Sequence, residues 1–109
     1  MATNQTSQKS QTYGTRSNLR VPPQNIDSEK ALLGSIMLKP DILNEITTII
    51  SPDSFYAQKH TMIYKAIFEL FGKNEPIDLL SVSSKMKEKK QLEQIGGRGY
   101  LTELVNLVP

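Results

Sequence analysis

Three glycines, Gly96, Gly97 and Gly99, directly precede a predicted helix near the end of the chain. A glycine loop at a helix start can present backbone N–H groups to a phosphate. The phosphate-binding P-loop, however, has the pattern GxxxxGK followed by Ser or Thr, whereas here Arg98 stands between glycines and Tyr100 follows them. We therefore interpret the cluster as a helix-breaking turn, because glycine readily adopts the backbone angles that such a corner requires.

A second candidate for phosphate contact is the run KMKEKK, which contains Lys85, Lys87, Lys89 and Lys90. Clustered lysines can bind phosphates because binding releases counterions. Helical spacing aligns Lys85 with Lys89 and Lys87 with Lys90, so the charge is distributed around the helix end. Lysines at this end also interact favourably with the helix dipole. The pattern favours a solvated face, and a weak phosphate contact is the alternative.

His60 is the only histidine, and the chain has no cysteine. A metal site would need further His or Cys ligands, and a general base would need a nucleophile or an acid beside it. Paired carboxylates such as Asp41 and Glu45 are explained by helix capping and solvation. We therefore predict a structural or surface role for His60, and we expect no catalytic residue, metal site or cofactor in this chain.

The aromatic residues Tyr64, Phe68 and Phe71 share one side of a predicted helix, and aliphatic residues occupy another. Core packing explains most of this pattern. A domain this small can rarely bury every large side chain of one helix, so a remaining patch could bind a partner. These three residues are therefore the candidate protein interface.

Composition limits the possible classes of protein. With 109 residues, 38% of them hydrophobic, the chain can bury one modest core. The net charge of +2 is unevenly distributed, because residues 1–20 contain three basic and no acidic side chains while residues 21–109 contain ten basic and eleven acidic ones. The folded part thus lacks the positive field of a dedicated nucleic-acid binder. The lack of cysteine, secretory signal and long apolar segment favours a soluble cytoplasmic protein.

Helix start and stop signals divide the rest of the chain. Residues 1–20 are mostly Ser, Thr, Gln and Asn, which predicts a disordered polar and basic leader. Helices are predicted from Asn25 or Asp27, from Pro40 to Ile50, from Lys59 to Phe71, from Asp78 to Lys90 and through Tyr100 to Val108, with short turns after Ser51 and Gln91. Nothing predicts a strand. The sequence therefore predicts an all-α fold, a compact orthogonal bundle of about five or six short helices over residues 21–109.

Three segments, in this order and spacing, resemble a known family. They are VPPQNIDSEKALLGSIMLKPDILNEI from Val21, FYAQKHTMIYKAIFELFGKNEPIDL from Phe55 and PIDLLSVSSKMKEKKQLEQIGGRGYLTELVNLVP from Pro76. Together they are similar to the amino-terminal domain of the bacterial replicative DNA helicase, the DnaB family. The resemblance implies that residues 21–109 are the collar head of such a helicase, truncated before its helical hairpin, linker and RecA-like ATPase domain.

The same resemblance implies a function for the parent protein. Members of the family form a homohexameric ring, and primase and a helicase loader engage the same protein. Their RecA-like domain uses ATP and Mg²⁺ to translocate on single-stranded DNA and unwind duplex DNA at the replication fork. The residues of that ATP site have no counterpart here, so the resemblance assigns this chain no catalytic site. The fragment alone would be a monomer or a dimer.

Two other classes of protein stay open at this stage. The chain could be a stand-alone small helical nucleic-acid-binding or adaptor module that uses the basic leader and Lys85 to Lys90. Binding through phosphates would then weaken steeply as salt rises, whereas an apolar protein interface would not. A free-standing enzyme would need an active site that the sequence does not reveal.

Overall fold

The computed structural model describes residues 25–108, so the leader predicted at residues 1–20 lies outside the described part of the chain. The five α-helices of this part are α1 (Ile26–Leu38), α2 (Leu43–Ile46), α3 (Gln58–Gly72), α4 (Leu79–Glu88) and α5 (Gly97–Asn106). Short 3-10 turns occupy Pro40–Ile42, Pro52–Ser54 and Glu93–Ile95, and residues 25–108 contain no strand. The predicted all-α bundle is confirmed.

Helix α3 occupies the middle of the bundle, where it packs against α1 on one side and α4 on another. Most of its apolar residues are buried, Phe68 and Phe71 are partly buried, and Lys65 and Glu69 are exposed. The fully buried aliphatic and Met side chains of the core come from every long helix: Leu33, Ile36, Ile63, Ile67, Val82, Met86, Leu101 and Leu104. Burying each side chain of this size contributes about 1.5–3 kcal/mol, so these residues supply much of the stability.

Helix α1 pairs with α5, although the two are separated by most of the sequence. Gly34 in the buried face of α1 lies against Leu104 of α5. The lack of a side chain at Gly34 lets the two backbones approach closely. The first and last described helices therefore close the bundle by direct contact.

Residues in the left-handed conformation end three helical segments: Asn74 (φ 56°), Lys90 (φ 61°) and Gly96 (φ 108°). After Asn74, the N–H of Glu75 donates to the carbonyl of Leu70 at 2.9 Å, and equivalent bonds follow the other two residues. This arrangement satisfies carbonyls that a helix end would otherwise leave unpaired. It also turns the chain sharply, which keeps the connections short.

Helix α2 is shorter than the predicted helix from Pro40 to Ile50. Its α-helical part ends at Ile46, and Thr47 to Ile49 form turns. The hydroxyl of Thr48 donates to the carbonyl of Glu45 at 3.3 Å. β-branched residues favour helices less than straight-chain residues do, and four of them follow Ile46 in sequence. Leu43 is buried and Ile42, Ile46 and Ile50 are partly buried, but Ile49 is 57% exposed. The periodicity therefore overestimated both the length of the helix and the extent of its buried face.

The start of α4 agrees with the sequence, whereas the start of α5 differs. Asp78 caps α4, because its carboxylate accepts from the N–H of Ser81 at 2.8 Å. Helix α5 begins at Gly97, inside the glycine cluster that was predicted to precede it. The break therefore lies at Gly96 and Gly97, both of which have positive φ.

Candidate interaction surface

Tyr64, one of the three candidate interface aromatics, lies inside the core. Its side chain is completely buried, and its hydroxyl donates to the carbonyl of Ile50 at 2.8 Å. Burial also raises the pKa of Tyr64 to about 12. Tyr64 thus joins α3 to the segment after α2 and presents no surface to a partner in this structure.

Phe68 and Phe71 lie at the surface of α3 and are only partly buried. The ring of Phe68 packs on that of Tyr64, with 4.9 Å between the centroids. Phe71 helps to line a surface hollow of about 270 Å³, together with Pro40 and Ile77. Of the predicted aromatic patch, the structure therefore leaves these two residues available at the surface.

A neighbouring hollow of about 340 Å³ lies between the end of α3 and α4. Glu75 and Pro76 line both hollows, so the loop between α3 and α4 separates them. Leu80, which is 60% exposed, lies on the wall of the larger hollow. Exposed apolar side chains next to a concave surface are typical of sites that bind other proteins.

Two of the four candidate phosphate-binding lysines form ion pairs within the domain. Lys85 lies 3.7 Å from a carboxylate oxygen of Glu69 and 3.6 Å from one of Glu88, and Lys89 also pairs with Glu69. The hydrogen bond from Lys89 lowers the pKa of Glu69. These lysines connect α4 to α3, so their charge is already partly neutralised.

Lys87 and Lys90 point to the other side of the α4 end. They line a hollow of about 390 Å³ with Leu92 and Glu93. The negative charge of Glu93 would repel an anion that entered this hollow. The structure therefore divides the predicted lysine cluster into two pairs with different surroundings.

Residues 25–108 contain neither a P-loop nor a group of metal-ligating side chains. The glycine cluster has a corner at Gly96 and Gly97 but lacks the Lys and Ser or Thr of a P-loop. In residues 25–108, no three His, Cys, Asp or Glu side chains form a group that could hold a metal ion. None of the helices in this range is long and apolar enough to cross a membrane.

His60 is completely buried and lies in a chain of three polar side chains. Its Nδ1 is 2.6 Å from Oε1 of Glu29, and its Nε2 is 2.6 Å from the hydroxyl oxygen of Tyr100. The Glu29 carboxylate accepts hydrogen bonds, so Nδ1 carries the ring proton and Nε2 accepts from the Tyr100 hydroxyl. This Glu29–His60–Tyr100 chain joins α1, α3 and α5, which gives His60 a structural role.

Glu29 also binds the backbone just before α3. One of its oxygens accepts from the N–H of Tyr56 at 2.6 Å and the other from the N–H of Ala57 at 3.4 Å. Ala57 is the N-cap residue of α3, so these two N–H groups lie just before the helix. A carboxylate from another helix therefore holds the backbone that enters α3, much as the acid of a capping box accepts from the N-cap N–H.

The surroundings of the Glu29–His60–Tyr100 chain shift the pKa values of His60 and Tyr100. Burial lowers the pKa of His60, against the opposing hydrogen bond and charge of Glu29, and nearby Lys59 and Lys30 lower it further. Burial, with the charges of Glu103 and Glu29, raises the pKa of Tyr100 to about 12. The ammonium of Lys59 lies 4.0 Å from the centre of the Tyr100 ring. The environment therefore favours neutral His60 and neutral Tyr100.

Comparison with known proteins identifies the family. The model of the DnaB-like helicase N terminal domain matches residues 21–109. The replicative DNA helicase DnaC of Bacillus subtilis is 44% identical over 92 residues, which are 84% of this chain and 20% of that protein. The replicative DNA helicase DnaB of Geobacillus stearothermophilus is 40% identical over 90 residues, 83% of this chain and 20% of that protein. The chain thus spans about a fifth of the length of these curated relatives.

A solved structure agrees with this assignment. The crystal structure of the N-terminal domain of DnaB helicase from Mycobacterium tuberculosis superposes with a TM-score of 0.77 at 34% identity. The match covers 82% of this chain and 64% of that one. The resemblance recognised in the sequence is confirmed, and the chain belongs to the family of DnaB-like helicase N-terminal domains.

Proposed function

We propose that this domain is the non-catalytic head of a replicative DNA helicase and supports assembly of a homohexameric collar. In this proposal it also contacts primase and the helicase loader. A separate ATPase domain of the parent protein uses ATP and Mg²⁺, translocates on single-stranded DNA and unwinds the duplex at the replication fork in the cytoplasm. The observation that carries the proposal is the family match across residues 21–109.

The surface of α3 and the loop after it supports an interaction role. Phe68 and Phe71 are partly exposed on α3, and Leu80 projects from the next helix beside a hollow. Fixed apolar side chains next to concave surface can bind a partner without large rearrangement. We call Phe68, Phe71 and Leu80, with the two hollows beside them, the α3–α4 surface. We propose this surface as a contact for another subunit or a replication partner.

The experiment that tests the proposal uses the whole protein that contains this domain. Its mass in solution would be measured, together with ATP-dependent unwinding of a forked DNA, with and without residues 21–109. We expect a hexamer that unwinds DNA, and we expect deletion of the head to weaken hexamer formation and the response to primase while ATP hydrolysis persists. A whole protein that neither forms a ring nor unwinds DNA would contradict the proposal.

A salt titration addresses the nucleic-acid-binding alternative. We expect the domain alone to bind single-stranded DNA only weakly at physiological salt, because Lys85 and Lys89 are paired with acidic side chains. Tight binding that falls steeply with rising salt would instead support the stand-alone nucleic-acid-binding module.

A further inference from the structure

The two hollows of the α3–α4 surface meet at one ridge. Glu75 and Pro76 line both hollows, and both residues are exposed. Phe71 lines the hollow of about 270 Å³ and Leu80 the hollow of about 340 Å³, so each hollow contains an apolar side chain. A segment that binds here would place a large side chain in a hollow and cross the ridge beside it.

The charged residues that line the two hollows are mostly acidic. They are Asp41, Glu75 and Glu88, with Lys85 as the one basic residue. Lys85 already lies 3.7 Å from an oxygen of Glu69 and 3.6 Å from one of Glu88. Within residues 25–108, neither Asp41 nor Glu75 forms an ion pair. The ridge and the smaller hollow therefore complement a basic segment that also contains a large apolar side chain.

The leader, residues 1–20, has this composition, although it lies outside the described part of the chain. It contains three basic and no acidic side chains, and Tyr13 is one of its few large apolar residues. Arg16 follows Tyr13 by three residues, about 10 Å along an extended chain. One of these side chains can therefore reach Glu75 on the ridge while the other enters the hollow beside it.

The chain is long enough to bring the leader to this surface. Helix α1 has 13 residues and is about 20 Å long, and Pro40, just beyond its end, lines the smaller hollow. Arg16 lies nine residues before Asn25 and Tyr13 twelve, which reach up to about 30 Å and about 40 Å when extended. A short tether gives its end an effective concentration in the millimolar range, so even a weak contact is populated.

We propose that the leader binds the α3–α4 surface of its own chain, with Arg16 at Glu75 and the ring of Tyr13 in a hollow. The bound leader covers the surface proposed above as a contact for a subunit or a replication partner, so it competes with that contact. The competition rests on the proposed function of the surface. Binding of the leader itself is measured separately, in the chain without a partner.

The test uses a spin label in the full chain. The sequence has no cysteine, so Ser10→Cys provides a single attachment point for a nitroxide, three residues before Tyr13. The nitroxide broadens the nuclear magnetic resonance signals of nearby amides. We expect the broadening to be strong at amides 74, 75, 80 and 81, at the ridge and the hollows. A leader that does not bind would instead broaden mainly the amides near Asn25, to which it is tethered.

Charge reversals in the labelled chain identify the contact. Arg16→Glu and Glu75→Arg should each lower the ratio of bound to free leader roughly fivefold, and the double variant should restore it. Tyr13→Ala should reduce the broadening although every charge is kept. The matched control is Glu93→Arg, which reverses an exposed acid outside both hollows and should leave the broadening unchanged.

Three results would overturn the proposal. The first is broadening confined to the amides near Asn25. The second is a double variant that does not recover the broadening lost in the single variants. The third is equal broadening when the labelled chain is mixed with an unlabelled, ¹⁵N-enriched chain, which would make another copy the source of the leader. None of these results depends on hexamer formation or unwinding by the whole protein, so failure of the helicase role would be recognised separately.

Discussion

Gly34 of α1 lies directly against the backbone of Leu104 in α5. A Cβ atom at position 34 would overlap the carbonyl oxygen of Leu104 and come within 2.8 Å of its carbonyl carbon. It would also lie 3.0 Å from Cγ2 of Val108. The neighbour is mainly backbone rather than a flexible side chain, so the contact cannot be relieved by a rotamer change.

Gly34→Ala should therefore destabilise the domain by about 3 kcal/mol, near the upper end of the usual cost of overpacking. Urea denaturation would measure this loss. The matched control is Gly72→Ala, because a Cβ atom at Gly72 meets nothing within 4 Å. That variant should raise the free energy of unfolding by less than about 1 kcal/mol. Equal effects at the two positions would contradict the close approach of α1 and α5.

Acid should weaken the fold through His60. Its pKa is lowered in the folded state, mainly by burial, so the unfolded chain binds a proton more readily. The stability that depends on neutral His60 is present above the imidazole value of 6.5 and is lost as the pH falls below it. Urea denaturation across this range should show a decline in wild type and a flatter profile in His60→Gln. If the stability of wild type and of His60→Gln declines equally with falling pH, His60 is not the cause of the decline.

Alkali should weaken the fold through two tyrosines. Burial raises the pKa of Tyr64 and of Tyr100 from 10.0 to about 12. The folded state keeps the phenol proton that the unfolded chain loses, so stability is full below pH 10 and declines as the pH rises toward about 12. The ultraviolet absorbance of ionised phenols would follow this step. Tyr64→Phe and Tyr100→Phe should each remove one ionising phenol from this absorbance step. If the step is unchanged in either variant, that tyrosine does not contribute to it.

The cap of α4 makes a separate contribution. Asp78→Ala removes the acceptor for the N–H of Ser81 and should cost about 1 kcal/mol. Asp78→Asn keeps a side-chain oxygen there and should lie within a few tenths of a kcal/mol of wild type. Thermal or urea unfolding of both variants separates the hydrogen bond from the charge. A large loss in Asp78→Asn would mean that the charge matters more than the acceptor.

Two lysine variants distinguish the candidate surfaces. Lys65 is exposed on α3, one turn before Phe68, and Lys87 is exposed on α4 beside the hollow that Lys90 also lines. If the α3–α4 surface binds a partner, Lys65→Glu in the whole helicase should weaken subunit or primase binding by about 1 kcal/mol, roughly fivefold in Kd. Lys87→Glu should leave that binding unchanged. If Lys87→Glu instead has the larger effect and also weakens DNA binding, the domain is better explained as a nucleic-acid-binding module.

Features set by local sequence were the ones that could be predicted. The Asp78 cap depends on residues within one helical turn, and the burial of Tyr100 follows from helical periodicity. By position alone, Glu29 is an ordinary first-turn acid, which interacts favourably with the positive end of its own helix. Its hydrogen bonds instead connect it to residues 27 to 31 positions later in the chain, which periodicity does not reveal.

The same limit applies to the lysine cluster and to the aromatic patch. Helical spacing showed that Lys85 and Lys89 align, but only the packing of α3 on α4 brings Glu69 to both of them. The aromatic residues Tyr64 and Phe68 are four positions apart on α3, yet one is buried and the other is partly exposed. Which residues of an apolar helix reach the surface depends on the neighbours that cover it.

The hydrogen bonds that Glu29 makes to the backbone before α3 also bear on the order of folding. The central helix has no capping side chain at its start, and the carboxylate that holds the preceding backbone comes from α1, 27 residues earlier in the chain. A peptide containing only α3 should therefore have a frayed amino end, because nucleating a helix without tertiary support is unfavourable. We expect the start of α3 and the docking of α1 to form in one cooperative step rather than in sequence.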